Sequence, residues 1–158
     1  MKAATIREIK EELNDKSKIE LVNISLRLAK FKKDNKELLT YLLFESEDEF
    51  QFVTGIKQDI DLQFSEINRS QYYFIKKSVR KILRGIKKQI RYSPKKETEV
   101  ELLIYFCKKL KTFSPPIRGN RVLQNIYHRQ IELVQKKIKA LHEDLQYDYG
   151  VELEELNR

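Results

Sequence analysis

With 158 residues, 41% of them hydrophobic and 16 of them Phe or Tyr, the chain can bury the core of one domain, at this size about 68–70% of its unfolded surface. A net charge of +8 makes anionic partners the natural class to test, although 22 Lys against 10 Arg reflects a lysine-rich composition as much as a binding surface. One cysteine excludes an intrachain disulfide and fits a reducing cytoplasm, the charged N-terminus lacks a signal-peptide apolar core, and the longest apolar runs (38–44 and 102–107) are far short of the ~20 residues of a membrane span.

Taken in order, the chain predicts helices near 5–14, 17–33, 35–45, 48–67, 69–92, 94–112 and 121–148. Their starts are marked by capping pairs three residues apart: Thr5 with Glu8, Ser17 with Glu20, Asp34 with Glu37, Ser46 with Glu49 and Asn68 with Gln71. Ser93-Pro94 and Asn120 mark two more starts. Apolar residues recur at three and four, as in Phe52, Ile56, Ile60 and Ile67, and again in Leu123, Ile126, Tyr127, Ile131, Val134, Ile138, Leu141 and Leu145. The expected fold class is all-α: six to seven amphipathic helices packed as antiparallel hairpins, a bundle or a solenoid-like array. KELLTYLLF at 36–44 and VELLIYFCK at 100–108 form a faint internal echo. Residues 1–150 read as a single all-helical domain, with Gly150 as a helix C-cap and 151–158 as a short acidic tail.

The opening segment IREIKEELNDKSKIELVNISLRLAKFKKDNKELLTYLL resembles the start of an uncharacterised bacterial all-helical family, a domain of unknown function. The likeness lies in a short Lys/Glu-rich first helix, a polar turn at LNDKSK and a second helix leading to an ELL-type hairpin. It implies an all-helical fold and brings no activity with it.

The strongest local deviation is the stretch from Arg69 to Lys96, which holds eleven basic residues and no acid. Projected at about 100° per residue, Lys76, Lys77, Arg80, Lys81, Arg84, Lys87, Lys88 and Arg91 fall in an arc of roughly 140°. Tyr72, Ile75, Val79, Ile82, Leu83, Ile86 and Ile90 occupy a separate arc of about 100° that must face the core. Tyr73 lies in the middle of the basic arc. Spaced cations match a line of phosphates, and an exposed ring can stack on an unpaired base. Two acidic segments offer the opposite reading. Residues 45–66 carry seven acids against Lys57, and residues 140–158 carry six against Arg158, so either can cover the basic face in cis or in a second copy.

No motif for catalysis is visible: no Gly-rich phosphate loop, no GxSxG, no HExxH and no CxxC. His128 and His142 stand fourteen residues apart on one predicted helix, about 21 Å, too far to share a metal. Cys107 reads as a buried small hydrophobe, and Glu97 with Glu101 as structural carboxylates. Arg118 and Arg121, flanking Gly119-Asn120 at a predicted helix N-terminus, form a candidate small-anion site. The expectation is therefore a cytoplasmic, non-enzymatic helical binding or scaffolding module without cofactor, catalytic residue, metal or membrane. Its partner is a protein, either a second copy or an acidic one, with nucleic acid on the basic face as the alternative.

Overall fold

Capping chemistry sets the first two helices of the computed structural model, which describes residues 1–158. Thr5 and Ser17 each accept a hydrogen bond from the backbone three residues on, and the Glu8 and Glu20 carboxylates accept one from the backbone N–H of the capping residue. These reciprocal boxes start α1 (Ile6–Asn14) and α2 (Lys18–Phe31). The hydrogen bonds from Thr5 and Ser17 hold the Glu8 and Glu20 carboxyls below their ordinary value. The other three helices expected to start at capping boxes start at different residues. Helix α3 (Lys33–Thr40) begins after Lys32, and α4 (Glu49–Ser65) is capped by Asp48 rather than Ser46. Helix α5 (Tyr72–Ile90) begins after Gln71, and α6 (Lys96–Lys111) begins after Lys95, two residues beyond Pro94. Between α3 and α4 the chain runs through a π-helical turn, Tyr41–Glu45.

Eight α-helices form, with no strand. The eighth arises because the predicted 121–148 helix is two: α7 (Arg121–Ile138) and α8 (Glu143–Asn157). Lys136 and Lys137 sit at the carbonyl end of α7, where cations are favoured. Glu143 and Asp144 open α8, where anions are favoured, and the His142 imidazole caps it by accepting from the Asp144 N–H. The Gln146 amide donates to the Leu141 carbonyl at the break, 2.8 Å away. The expected acidic tail 151–158 is thus the second half of a helix, and Gly150 lies inside it rather than at its end. Leu153 and Leu156 are buried, and their burial holds the segment in place.

Backbone proximity divides the chain into two units, Met1–Phe44 and Glu45–Arg158, where the sequence reads one domain over 1–150. The first unit is a helical pair, α2 along α3, preceded by α1. Apart from Tyr41 it contains no buried side chain.

The second unit is built around α6. Val100, Leu102, Leu103, Phe106, Cys107 and Leu110 are fully shielded and, with Thr98 and Ile104, spread over about two-thirds of its circumference, so α6 needs neighbours on several sides. Helices α4, α5, α7 and α8 supply them. Phe64 packs its ring 5.9 Å from Phe106 and 6.0 Å from Phe113, closing the core beyond the end of α6. The internal echo is not a structural repeat. Leu102 and Leu103 of the later segment are core, while Leu38, Leu42 and Leu43 of the earlier one are exposed. No helix is long and apolar enough to cross a membrane.

Candidate nucleic-acid interface

The core arc of α5 is as the sequence indicates: Ile75, Val79, Ile82 and Ile86 are buried, with Tyr72, Leu83 and Ile90 at its margins. That seam fixes the opposite face outward. Lys77, Arg80, Lys81, Arg84, Lys87 and Arg91 are exposed, while Lys76 and Lys88 are half-buried. Lys88 is engaged in a contact of its own; the other seven side chains take part in no ion pair or hydrogen bond.

Several of the acids expected to neutralise this face bond elsewhere, chiefly to α6. Asp61 of α4 binds Lys109 at 2.9 Å and accepts from the Tyr105 hydroxyl at 2.8 Å. Glu49 accepts from the Ser93 and Thr98 hydroxyls. From α8, Glu152 pairs with Lys108 at 2.6 Å, and the Lys111 ammonium donates to the Glu155 and Leu156 carbonyls, ending the helix with a cation. Lys57 of α4 completes the belt on Glu101 at 2.5 Å. Burial pushes the Asp61 carboxyl up, but the hydrogen bonds from Lys109 and Tyr105 with the Lys109 charge outweigh it and hold the group below its ordinary value. Tyr105 is pushed up to about 12 by burial and by the Asp61 carboxylate. Lys109 and Lys108 of α6 thus each draw in one carboxylate, Asp61 and Glu152, from the two acidic segments.

At the N-terminal end of the basic face, the Tyr73 ring is 62% exposed and meets Phe74 edge-on at 5.3 Å. Tyr72, one residue earlier, faces inward and donates its hydroxyl to the Pro116 carbonyl. At the other end the face continues into a cleft of about 420 Å³. Lys87 and Arg91 from α5, Lys95 and Lys96 from the start of α6, and Lys137 from α7 surround it, over a floor of Ile90 and Leu133. Its one acid, Glu99, is tied to Lys137 at 2.8 Å, so the other four cations are uncompensated. Lys95 and Lys96 belong to the basic run but lie beyond the helix on which it was projected. Lys137 comes from another helix, and nothing in the sequence places it beside Arg91.

The remaining candidates separate. Arg118 and Arg121 are exposed, but the Asn120 carboxamide already accepts from the Val122 and Leu123 N–H groups at 3.1 and 3.2 Å. Two of the backbone donors that recommended this turn for an anion are therefore taken. Gly119 in the preceding turn, Ile117–Gly119, has a tight constraint: a Cβ there would collide with the Tyr72 hydroxyl. His128 and His142 lie on different elements, on α7 and at the cap of α8. Cys107 is fully shielded, and burial pushes its thiol up to about 12. No cluster of three or more His, Cys, Asp or Glu side chains has the arrangement of a metal site. The chain matches no protein-family model, no curated protein and no solved structure.

Proposed function

We propose that this chain is a cytoplasmic, non-enzymatic helical module that binds single-stranded nucleic acid along the exposed face of α5. The observation that carries the reading is the set of seven cationic side chains without an acidic partner on one helix face, beside a core helix around which Lys57, Lys108, Lys109 and Lys137 are all ion-paired. Cations held apart on a rigid helix displace condensed counterions from a phosphate backbone without a large ordering cost. From Tyr73 to Arg91 the face runs about 27 Å, the length of roughly eight nucleotides at a 3.4 Å rise. Tyr73 and Phe74 favour a single strand, because an exposed ring stacks on an unpaired base and contributes about 1–3 kcal/mol.

The test is titration of fluorescent oligonucleotides, single- and double-stranded, at about 50 mM salt, with polyglutamate as competitor. Binding that prefers the single strand, with Tyr73→Ala erasing the preference, is the expected result. An absence of binding at low salt ends the proposal. Equal competition by polyglutamate moves the partner to the acidic-protein class.

A further inference from the structure

The Met1–Phe44 unit has an apolar surface that the basic face does not explain. In α2, Ile19, Val22 and Leu26 follow one another at i, i+3 and i+7 and remain 75%, 50% and 48% exposed. Ile24 and Phe31 run along another line, and Phe31 is 83% exposed. Projection places the apolar residues of α2 over about two-thirds of its circumference, leaving a polar arc of roughly 80° for Glu20, Asn23, Arg27 and Lys30. A helix of that kind is stable in water only when more than one side is covered. Helix α3 covers one side.

The seam between α2 and α3 is itself incomplete. It holds a cavity of about 270 Å³, lined mainly by Leu28, Ala29, Leu38, Leu39 and Leu42. Its polar members are already satisfied: the Ser25 hydroxyl donates to the Leu21 carbonyl at 2.8 Å, and the Asn35 amide donates to the Leu28 carbonyl at 2.9 Å. What the seam offers an occupant is therefore apolar.

We infer that the occupant is a second copy of this chain: two α2/α3 pairs pack face to face into an intermolecular four-helix bundle. Two helices cannot enclose a core, whereas four can, and hairpins of this length close as a symmetric pair. A 44-residue unit is also near the size at which oligomerisation, metals or disulfides become necessary, and its sequence contains no cysteine. The areas agree. The exposed large apolar residues of α2, α3 and the turn that follows them amount to about six fully exposed side chains, or roughly 700 Å² at about 120 Å² each. A standard interface takes about 800 Å² from each partner. Because the contact is isologous, the Ile19–Val22–Leu26 stripe meets its own equivalent, and one substitution perturbs both halves.

Sedimentation equilibrium of the full chain from about 1 to 500 µM, at low salt and in about 1 M NaCl, tests the inference. A dimer that persists in high salt is expected. Val22→Glu/Leu26→Glu should weaken it by at least about 100-fold while circular dichroism shows the helical content retained. Val22→Ile/Leu26→Met should keep it, and Arg27→Glu, on the polar arc, should leave it unchanged. A monomer throughout the range overturns the proposal. So does a dimer indifferent to the double Glu variant, or one that dissolves in salt and on charge reversal of α5, since that would join the basic face to acidic segments instead.

Discussion

Neutralising part of the α5 face gives the most discriminating test of the nucleic-acid reading. Five of the unpaired cations, Lys77, Arg80, Arg84, Lys87 and Arg91, lie within about 40° of the centre of the face and can reach one strand together. For single strands the slope of log K against log salt is about −0.7 per phosphate contact, so five contacts give about −3.5. Raising salt from about 50 to 200 mM should then weaken wild-type binding about 100-fold. Arg80→Gln/Arg84→Gln leaves three contacts and a slope of about −2, with affinity down roughly 60-fold at 50 mM and roughly 10-fold at 200 mM. Both arginines are exposed and bond to nothing, so folding stability should change by less than about 0.5 kcal/mol. The assay is fluorescence anisotropy with a labelled 20-mer across a salt series. Arg129→Gln, an exposed arginine on α7, serves as the control. A wild-type slope near −1, or an unchanged slope in the double variant, refutes the reasoning, because counterion release would then not come from this face.

Three further outcomes test the fold that presents it. Leu103→Ala, at a fully shielded position on α6, should cost about 2–5 kcal/mol in urea denaturation, near the upper end if the four surrounding helices cannot collapse onto the void. Gly119→Ala should destabilise by about 1 kcal/mol by displacing the Tyr72 hydroxyl from the Pro116 carbonyl, and adding Tyr72→Phe should recover part of the loss, as read in a double-mutant cycle. In alkali the protein should unfold between about pH 9 and 12. Burial raises the Cys107 thiol from 9.0 to about 12 and the Tyr127 hydroxyl from 10.0 to about 12, so the unfolded chain ionises first. The stabilisation from these groups is complete below their unfolded values and lost as pH rises through the folded ones; for Cys107 it corresponds to about 4 kcal/mol. Below pH 9 a thiol reagent should label Cys107 only when denaturant is present.

Local chemistry decides what the sequence alone determines. The helical class follows from apolar spacing at three and four, and the starts at Thr5, Ser17 and Asn120 from side chains that bond within one turn. The two faces of α5 follow from helical geometry, because a buried arc at Ile75, Val79, Ile82 and Ile86 forces the opposite side outward. Tertiary packing decided the rest. Whether acids at 45–66 and 140–158 meet the basic face depends on which helix lies between them, and α6 intercepts Glu152 with Lys108 and Asp61 with Lys109. The break between α7 and α8 has no Gly or Pro to announce it. It comes from α8 burying Leu153 and Leu156, a gain that a straight continuation of α7 would forgo. The arrival of Lys137 beside Arg91 and Lys95 is likewise a product of packing. Patterns that close within a turn or along one helix face are written in a single segment, whereas contacts between helices depend on every segment at once.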